Sequence, residues 1–175
     1  ALFALELDDH VEVLRLYDTQ VWGVVKEYSQ DQINAVSLLA RLELAGVNVG
    51  DRWLDVGHHL ATRTADHVLP FLDMQYLYGL ARAGRPEADV LMHNIEAHAA
   101  AAAPDTRDAW QRVGLPASRG LLAHARGDWQ RAVNDLGQAL PRLVEIGGSH
   151  AQRDLFAQVH LDALVRSGQL GGAQH

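Results

Sequence analysis

Gly147, Gly148 and Ser149, followed by Gln152, Arg153 and Asp154, form the sharpest chemical feature of the chain. Two glycines let a backbone approach a partner closely. Free N–H groups at a helix start attract an anion, and Arg153 adds a fork of donors. A carboxylate or phosphate would suit that corner. The plainer reading has the glycines end one helix, Ser149 and Gln152 cap the next, and Arg153 pair with an acid of a neighbouring hairpin. A second polar set is Asn34, Ser37 and Arg41, with Asp73 and Gln75 further along. Asn34, Ser37 and Arg41 are spaced by three and four residues and so share one helical face, as a ligand-binding surface requires. Pairing between adjacent helices accounts for the same pattern.

Ten histidines raise the question of a metal. His58 and His59 are adjacent and point about 100° apart on a helix, while His93 and His98 are five apart, so neither pair has the i, i+4 geometry of a helical zinc site. Asp55 and His59 have it, but one carboxylate and one imidazole are not a site. His67, beside Asp66 and ahead of Pro70, reads as a helix C-terminal residue. Trp22, Trp53, Trp110 and Trp129 each fit an apolar stripe or a hairpin contact and read as core. No Gly-rich phosphate loop, nucleophile elbow or paired-carboxylate arrangement is present, so the sequence assigns no catalytic residue, cofactor or metal.

The elements that carry these residues are helices of a repeating pattern. Ala123, Ala125, Arg126, Gly127, Asp128, Trp129, Ala132, Val133 and Leu136 show the unit most clearly: Gly127 supplies a left-handed C-terminal turn, Asp128 caps the next helix, and the following apolar residues form its stripe. Gly84 and Gly168 stand at similar turns, Gly46 and Asp8 at weaker ones, at intervals of 38, 38, 43 and 41 residues. Helices are expected at 1–7, 10–20, 30–45, 51–66, 70–83, 86–102, 106–126, 128–146 and 149–167, with no strand. Ser29 with Gln32, and Ser149 with Gln152, have capping-box spacing; Pro70 and Pro86 suit first turns, and Pro116 and Pro141 should bend or split their helices. An all-α superhelix of antiparallel hairpins follows, as one array over residues 1–175, with units longer than the 34 residues of the commonest tetratricopeptide repeat. Opening at Ala1 in an apolar helical pattern, it reads as a stretch of a longer chain.

A resemblance agrees with this pattern. Gly147, Gly148, Ser149, Ala151, Gln152, Arg153 and Asp154 resemble the Gly-Gly-Ser-x-Ala-Gln-Arg-Asp signature of the tetratricopeptide repeat protein 38 family. Ala35, Ser37, Leu38, Leu39, Arg41, Leu42 and Glu43, then Gly46, Val47, Val49, Gly50, Arg52, Trp53 and Val56, are similar to its long second hairpin. His67, Phe71 and Asp73 match the start of its next helix, and Val113, Gly114, Leu115 and Pro116 a later Gly-Leu-Pro element. Met74 and Gln75 depart from the pattern, which has a small residue followed by histidine there. The resemblance implies the fold and no catalytic residue.

With 48% hydrophobic and 21% charged residues, 175 residues can bury a core without disulfides, of which the absence of cysteine allows none. A formal charge of −7 without any basic stripe argues against nucleic acid as a partner, and no apolar run or signal pattern points to a membrane; the cytoplasm is the expected compartment. The leading reading is a non-enzymatic scaffold holding a protein or peptide segment in a concave groove lined by the first helix of each hairpin, with Arg41, Arg153 and Asp73 as polar contacts. The alternative is a small-molecule or anion-binding pocket, or an enzyme, in the full-length protein, with the Gln152, Arg153, Asp154 corner holding an anionic group. Uncovered array ends would also allow a homo-oligomer.

Overall fold

Aliphatic residues recurring every three or four positions become helices in the computed structural model, which describes residues 9–23 and 25–169. In order these are α1 (His10–Leu16), continued by a π-helical turn (Tyr17–Val21), then α2 (Ser29–Leu44), α3 (Arg52–Leu60), α4 (Pro70–Arg82) and α5 (Glu87–Ala101). A second π-helical stretch (Ala109–Gly114) leads into α6 (Leu115–Ala125); α7 (Trp129–Ala139) runs on as a 3-10 helix (Leu140–Ile146), and α8 (His150–Arg166) follows. No strand occurs among the described residues. The helix expected over 1–7 and the turn expected at Asp8 lie outside them.

Gly46, Gly84, Gly127 and Gly168 all have left-handed φ, between +68° and +84°. Each stands one residue past a helix C-cap. At the first three turns the helix closes with the same pair of bonds: the N–H of Val47 to the Leu42 carbonyl, Arg85 to Leu80 and Asp128 to Ala123, each beside a bond from the glycine N–H to the carbonyl three residues back. This satisfies carbonyls the helix would otherwise strand, and an L side chain resists the conformation it needs. Gly127→Val should therefore cost more than about 1 kcal/mol, which thermal unfolding would show as a fall of at least roughly 2 °C in Tm.

Both interior prolines split their helices. Pro116 is the second residue of α6, just where the wide π turn gives way to α-helix, and Pro141 opens the change from α to 3-10 geometry after Ala139. Each removes one backbone donor, so the ladder changes its pitch there. Pro70 is the first residue of α4, whereas Pro86 sits one place earlier than expected, at the N-cap of α5.

The stretch expected to be helical over 51–66 stops at Leu60. Arg63 accounts for much of that: its guanidinium donates to the Gln32 side chain (2.9 Å), the Glu27 carbonyl (2.7 Å) and Asp66 (3.1 Å), tying the following loop to the start of α2. The same tie dissolves the capping box expected at Ser29 and Gln32. Ser29 is already helical and accepts the Tyr76 hydroxyl (2.9 Å), and the buried Gln32 carboxamide donates to the Lys26 carbonyl (2.9 Å). At the start of α8 the box does form, Ser149 Oγ accepting from the Gln152 N–H (3.2 Å) and Gln152 Oε1 from the Ser149 N–H (2.9 Å). Asp128 caps α7 as expected, accepting from the Arg131 N–H.

Alternate helices share a layer. α4 packs on α2 and α6, and α8 packs on α6 and returns to α2, so the four inner helices close on one another; α3, α5 and α7 each cover the neighbours in sequence. One continuous core runs through this inner layer, from Val13 and Tyr17 to Leu155, Phe156 and Val159. No described helix is long and apolar enough to cross a membrane.

Candidate functional site

α2 is buried nearly all round, by Ile33, Ala35, Val36, Leu38, Leu39, Ala40 and Leu42. The polar strip it keeps includes Asn34, Ser37 and Arg41, and that strip faces the N-terminal turn of α8. Asn34, Ser37, Leu38 and Arg41, together with Asp31, Ala151 and Gln152, line an open cleft of about 310 Å³, with Gln20 and Val21 from the π turn after α1 on its rim. Four of the residues singled out in the sequence thus meet around one space. Gln20 and Val21 were not anticipated, because the π turn that aims them has no spacing signature.

Arg41 is the hinge of the arrangement. Its side chain is only 10% exposed; Nη2 donates to the Ala151 carbonyl at 2.8 Å, and Nη1 lies 3.7 Å from the Asp154 carboxylate. Its Nε–H is buried without a hydrogen-bond partner among the described residues. Asp154 stands behind the cavity wall rather than in it, and accepts from Gln158 (2.6 Å). A guanidinium held by a carbonyl and a carboxylate is oriented before any ligand arrives, which lowers the entropy a ligand must overcome.

Arg153 departs from the plainer reading of the sequence. It pairs with no acid of a neighbouring hairpin among the described residues. Its Nη1 turns back to donate to the carbonyls of Gly147 (3.4 Å) and Gly148, closing its own loop. The two glycines are required by their backbone, φ +92° and +77°, and they pack closely: a Cβ on Gly148 would come 3.1 Å from the Phe71 ring, and one on Gly147 3.3 Å from Leu69. The Gly-Gly-Ser corner is therefore a tight junction between α8 and the start of α4.

Asp73 lies apart from this cleft. It is fully buried on α4, with Oδ2 2.5 Å from His67 Nδ1 and Oδ1 without a partner. Burial pushes its carboxyl above the usual carboxylate range, an effect the His67 contact opposes. His67 is a loop residue with φ +48° rather than a helix terminus, and it stacks on His98 (4.7 Å between centroids) beside Trp110. Burial and the neighbouring His67 pull His98 below the ordinary imidazole range. Gln75 is buried as well, its Oε1 unpartnered. No group of three or more metal-binding side chains gathers among the described residues.

Sequence reasoning missed a second constellation at the other end of the α2–α8 seam. His124 on α6 has Nδ1 3.1 Å from the Tyr78 hydroxyl and Nε2 2.7 Å from Asp162 of α8. Burial lowers the His124 pKa, Asp162 opposing, and burial raises that of Tyr78. Arg166 Nε also donates to Asp162 (2.9 Å), and its guanidinium lies over Trp129, which is half-buried rather than core; Trp22, Trp53 and Trp110 are buried. A signal was present. Glu43, Tyr78, Arg82, His124, Asp162 and Arg166 each stand two to six residues before a turn glycine, so they fall in the last turns of α2, α4, α6 and α8.

No family model matches the chain, and no solved structure matches it.

Proposed function

We propose that this chain is a tetratricopeptide-like array, of the kind found in the tetratricopeptide repeat protein 38 family, acting as a non-enzymatic scaffold that holds an extended peptide segment of a cytoplasmic partner. The array reading rests on left-handed glycine turns 38 to 43 residues apart and on alternate helices sharing one layer. The peptide reading rests on one observation: Asn34, Ser37, Arg41 and Gln152 converge on the same cavity between α2 and α8. An extended peptide presents N–H and C=O groups in alternation. A carboxamide offers a donor and an acceptor together, and Gln20, Asn34 and Gln152 bring three of them to this wall, the oxygens of Asn34 and Gln152 already accepting one bond each, from Gln30 and from the Ser149 N–H. Val21 and Leu38 give a side chain an apolar floor, while Asp31 and Arg41 add one charge of each sign. At about 310 Å³ the space is at the small end of ligand pockets, enough for one or two side chains of a longer segment.

Selection from a random peptide library displayed on phage, followed by fluorescence polarisation with the enriched peptides, tests this. Asn34 is exposed, so Asn34→Ala should keep the fold and weaken binding by roughly 2- to 12-fold, the worth of one hydrogen bond. Ser37→Phe, which fills the cavity, should abolish it. Failure to enrich any peptide, or equal binding by both variants, would refute the reading.

A further inference from the structure

We infer that the cavity at the C-terminal ends of α2 and α8 is a separate binding site for a small organic carboxylate with a flat apolar body. The space measures about 420 Å³, within the range of small-molecule sites, and Glu43, Tyr78, Arg82, His124, Asp162 and Arg166 form its polar wall. Trp129, Leu44 and Val47 supply apolar surface.

The inference follows from counting donors and acceptors. Glu43 already accepts from Trp53 Nε1 (2.6 Å) and from Arg82 Nε (3.1 Å) and Nη2 (2.7 Å). Asp162 accepts from His124 and Arg166 through one oxygen. With Nε2 donating to Asp162, neutral His124 accepts the Tyr78 hydroxyl proton at Nδ1, so both ring nitrogens are occupied. What remains is one free acceptor, Asp162 Oδ1, against three donor nitrogens: Nη1 of Arg82 and both terminal nitrogens of Arg166 make no hydrogen bond among the described residues. Arg82 is thus fixed along one edge by Glu43 and Arg166 by a single Nε bond to Asp162, which leaves the Nη1–Nη2 edge of Arg166 and Nη1 of Arg82 open to receive a carboxylate.

Charge selects among anions. Two acids and two arginines cancel in this wall while His124 is neutral, so a single negative charge can meet the free guanidinium edges, whereas a phosphate dianion would also face Glu43 and Asp162. The half-buried Trp129 indole favours a flat apolar body behind the carboxylate. This site does not depend on the peptide reading of the α2–α8 cleft.

Isothermal titration of the whole chain with sodium benzoate, with inorganic phosphate in parallel, tests the proposal. Benzoate should bind more tightly than phosphate. Arg166→Gln should weaken benzoate roughly tenfold or more without lowering Tm, because the Arg166 side chain is half exposed and Asp162 keeps its His124 partner. Val47→Trp, filling the rim, should block benzoate while leaving peptides selected on the other cleft unaffected. No benzoate binding up to about 10 mM, equal affinity in Arg166→Gln, or phosphate binding as tight as benzoate would each overturn it.

Discussion

Replacing Phe156 with alanine should lower the stability of the fold by about 3 to 5 kcal/mol. Phe156 is 1% exposed on the inner face of α8 and meets Phe71 of α4 edge to face, with ring centroids 6.1 Å apart. The ring ties together the two helices that the Gly147–Gly148 junction brings close. Truncation removes its transfer free energy and leaves a cavity that cannot fully collapse, because α2, α6 and α7 hold α8 in place. Against a typical total of about 5 to 15 kcal/mol the loss is large, and at roughly 2 to 4 °C per kcal/mol for a chain of this size Tm should fall by about 6 to 20 °C. Urea unfolding provides the check: a lower midpoint at unchanged slope is expected. A shift of less than about 3 °C would mean that Phe156 does not meet Phe71 in the core as described.

The second large effect separates two glycines that a sequence cannot tell apart. Gly120 and Gly137 both lie inside helices, where alanine is intrinsically favoured by about 1 kcal/mol. At Gly120, on α6, a Cβ would stand 2.6 Å from Leu136 Cγ and 2.8 Å from the Leu136 backbone nitrogen of α7. Backbone cannot swing aside as a side chain can. Gly120→Val must therefore push α7 away from α6, at a cost of about 3 kcal/mol or more. At Gly137 the nearest atom to a Cβ is His160 Nε2 at 3.5 Å, an ordinary contact. Gly137→Ala should stabilise the protein by about 0.5 to 1 kcal/mol. Thermal melts of the two variants moving in opposite directions would verify the α6–α7 crossing; a Gly120→Val protein as stable as the parent would contradict it.

The α2–α8 cleft was half legible. Asn34, Ser37 and Arg41 could be grouped because three- and four-residue spacing puts side chains on one helical face whatever the surroundings. Gln152 could be named from its place at a helix start. Joining the two needed a contact spanning 110 residues, the bond from Arg41 to the Ala151 carbonyl. Asp73 was placed with them because it falls on the first helix of the next hairpin, and the fold instead buries it against His67. Neither spacing nor composition records which face of α4 turns inward, because Pro70 to Leu80 is buried almost throughout.

Sequence by itself determined where most helices start and stop. The glycine turns at 46, 84, 127 and 168, the Ser149–Gln152 box, the Asp128 cap and the changes of pitch at Pro116 and Pro141 all depend on hydrogen bonds or steric limits within about five residues. Tertiary structure decided which polar groups met. Ser29 and Gln32 gave up their local box for Tyr76 and Arg63, Arg153 turned to the loop carbonyls behind it, and Tyr78, His124 and Asp162 came together from three helices. The reason is energetic. A polar group withdrawn from water must find a partner, and the partner within reach is set by how the inner helices pack, not by the residues beside it in the chain.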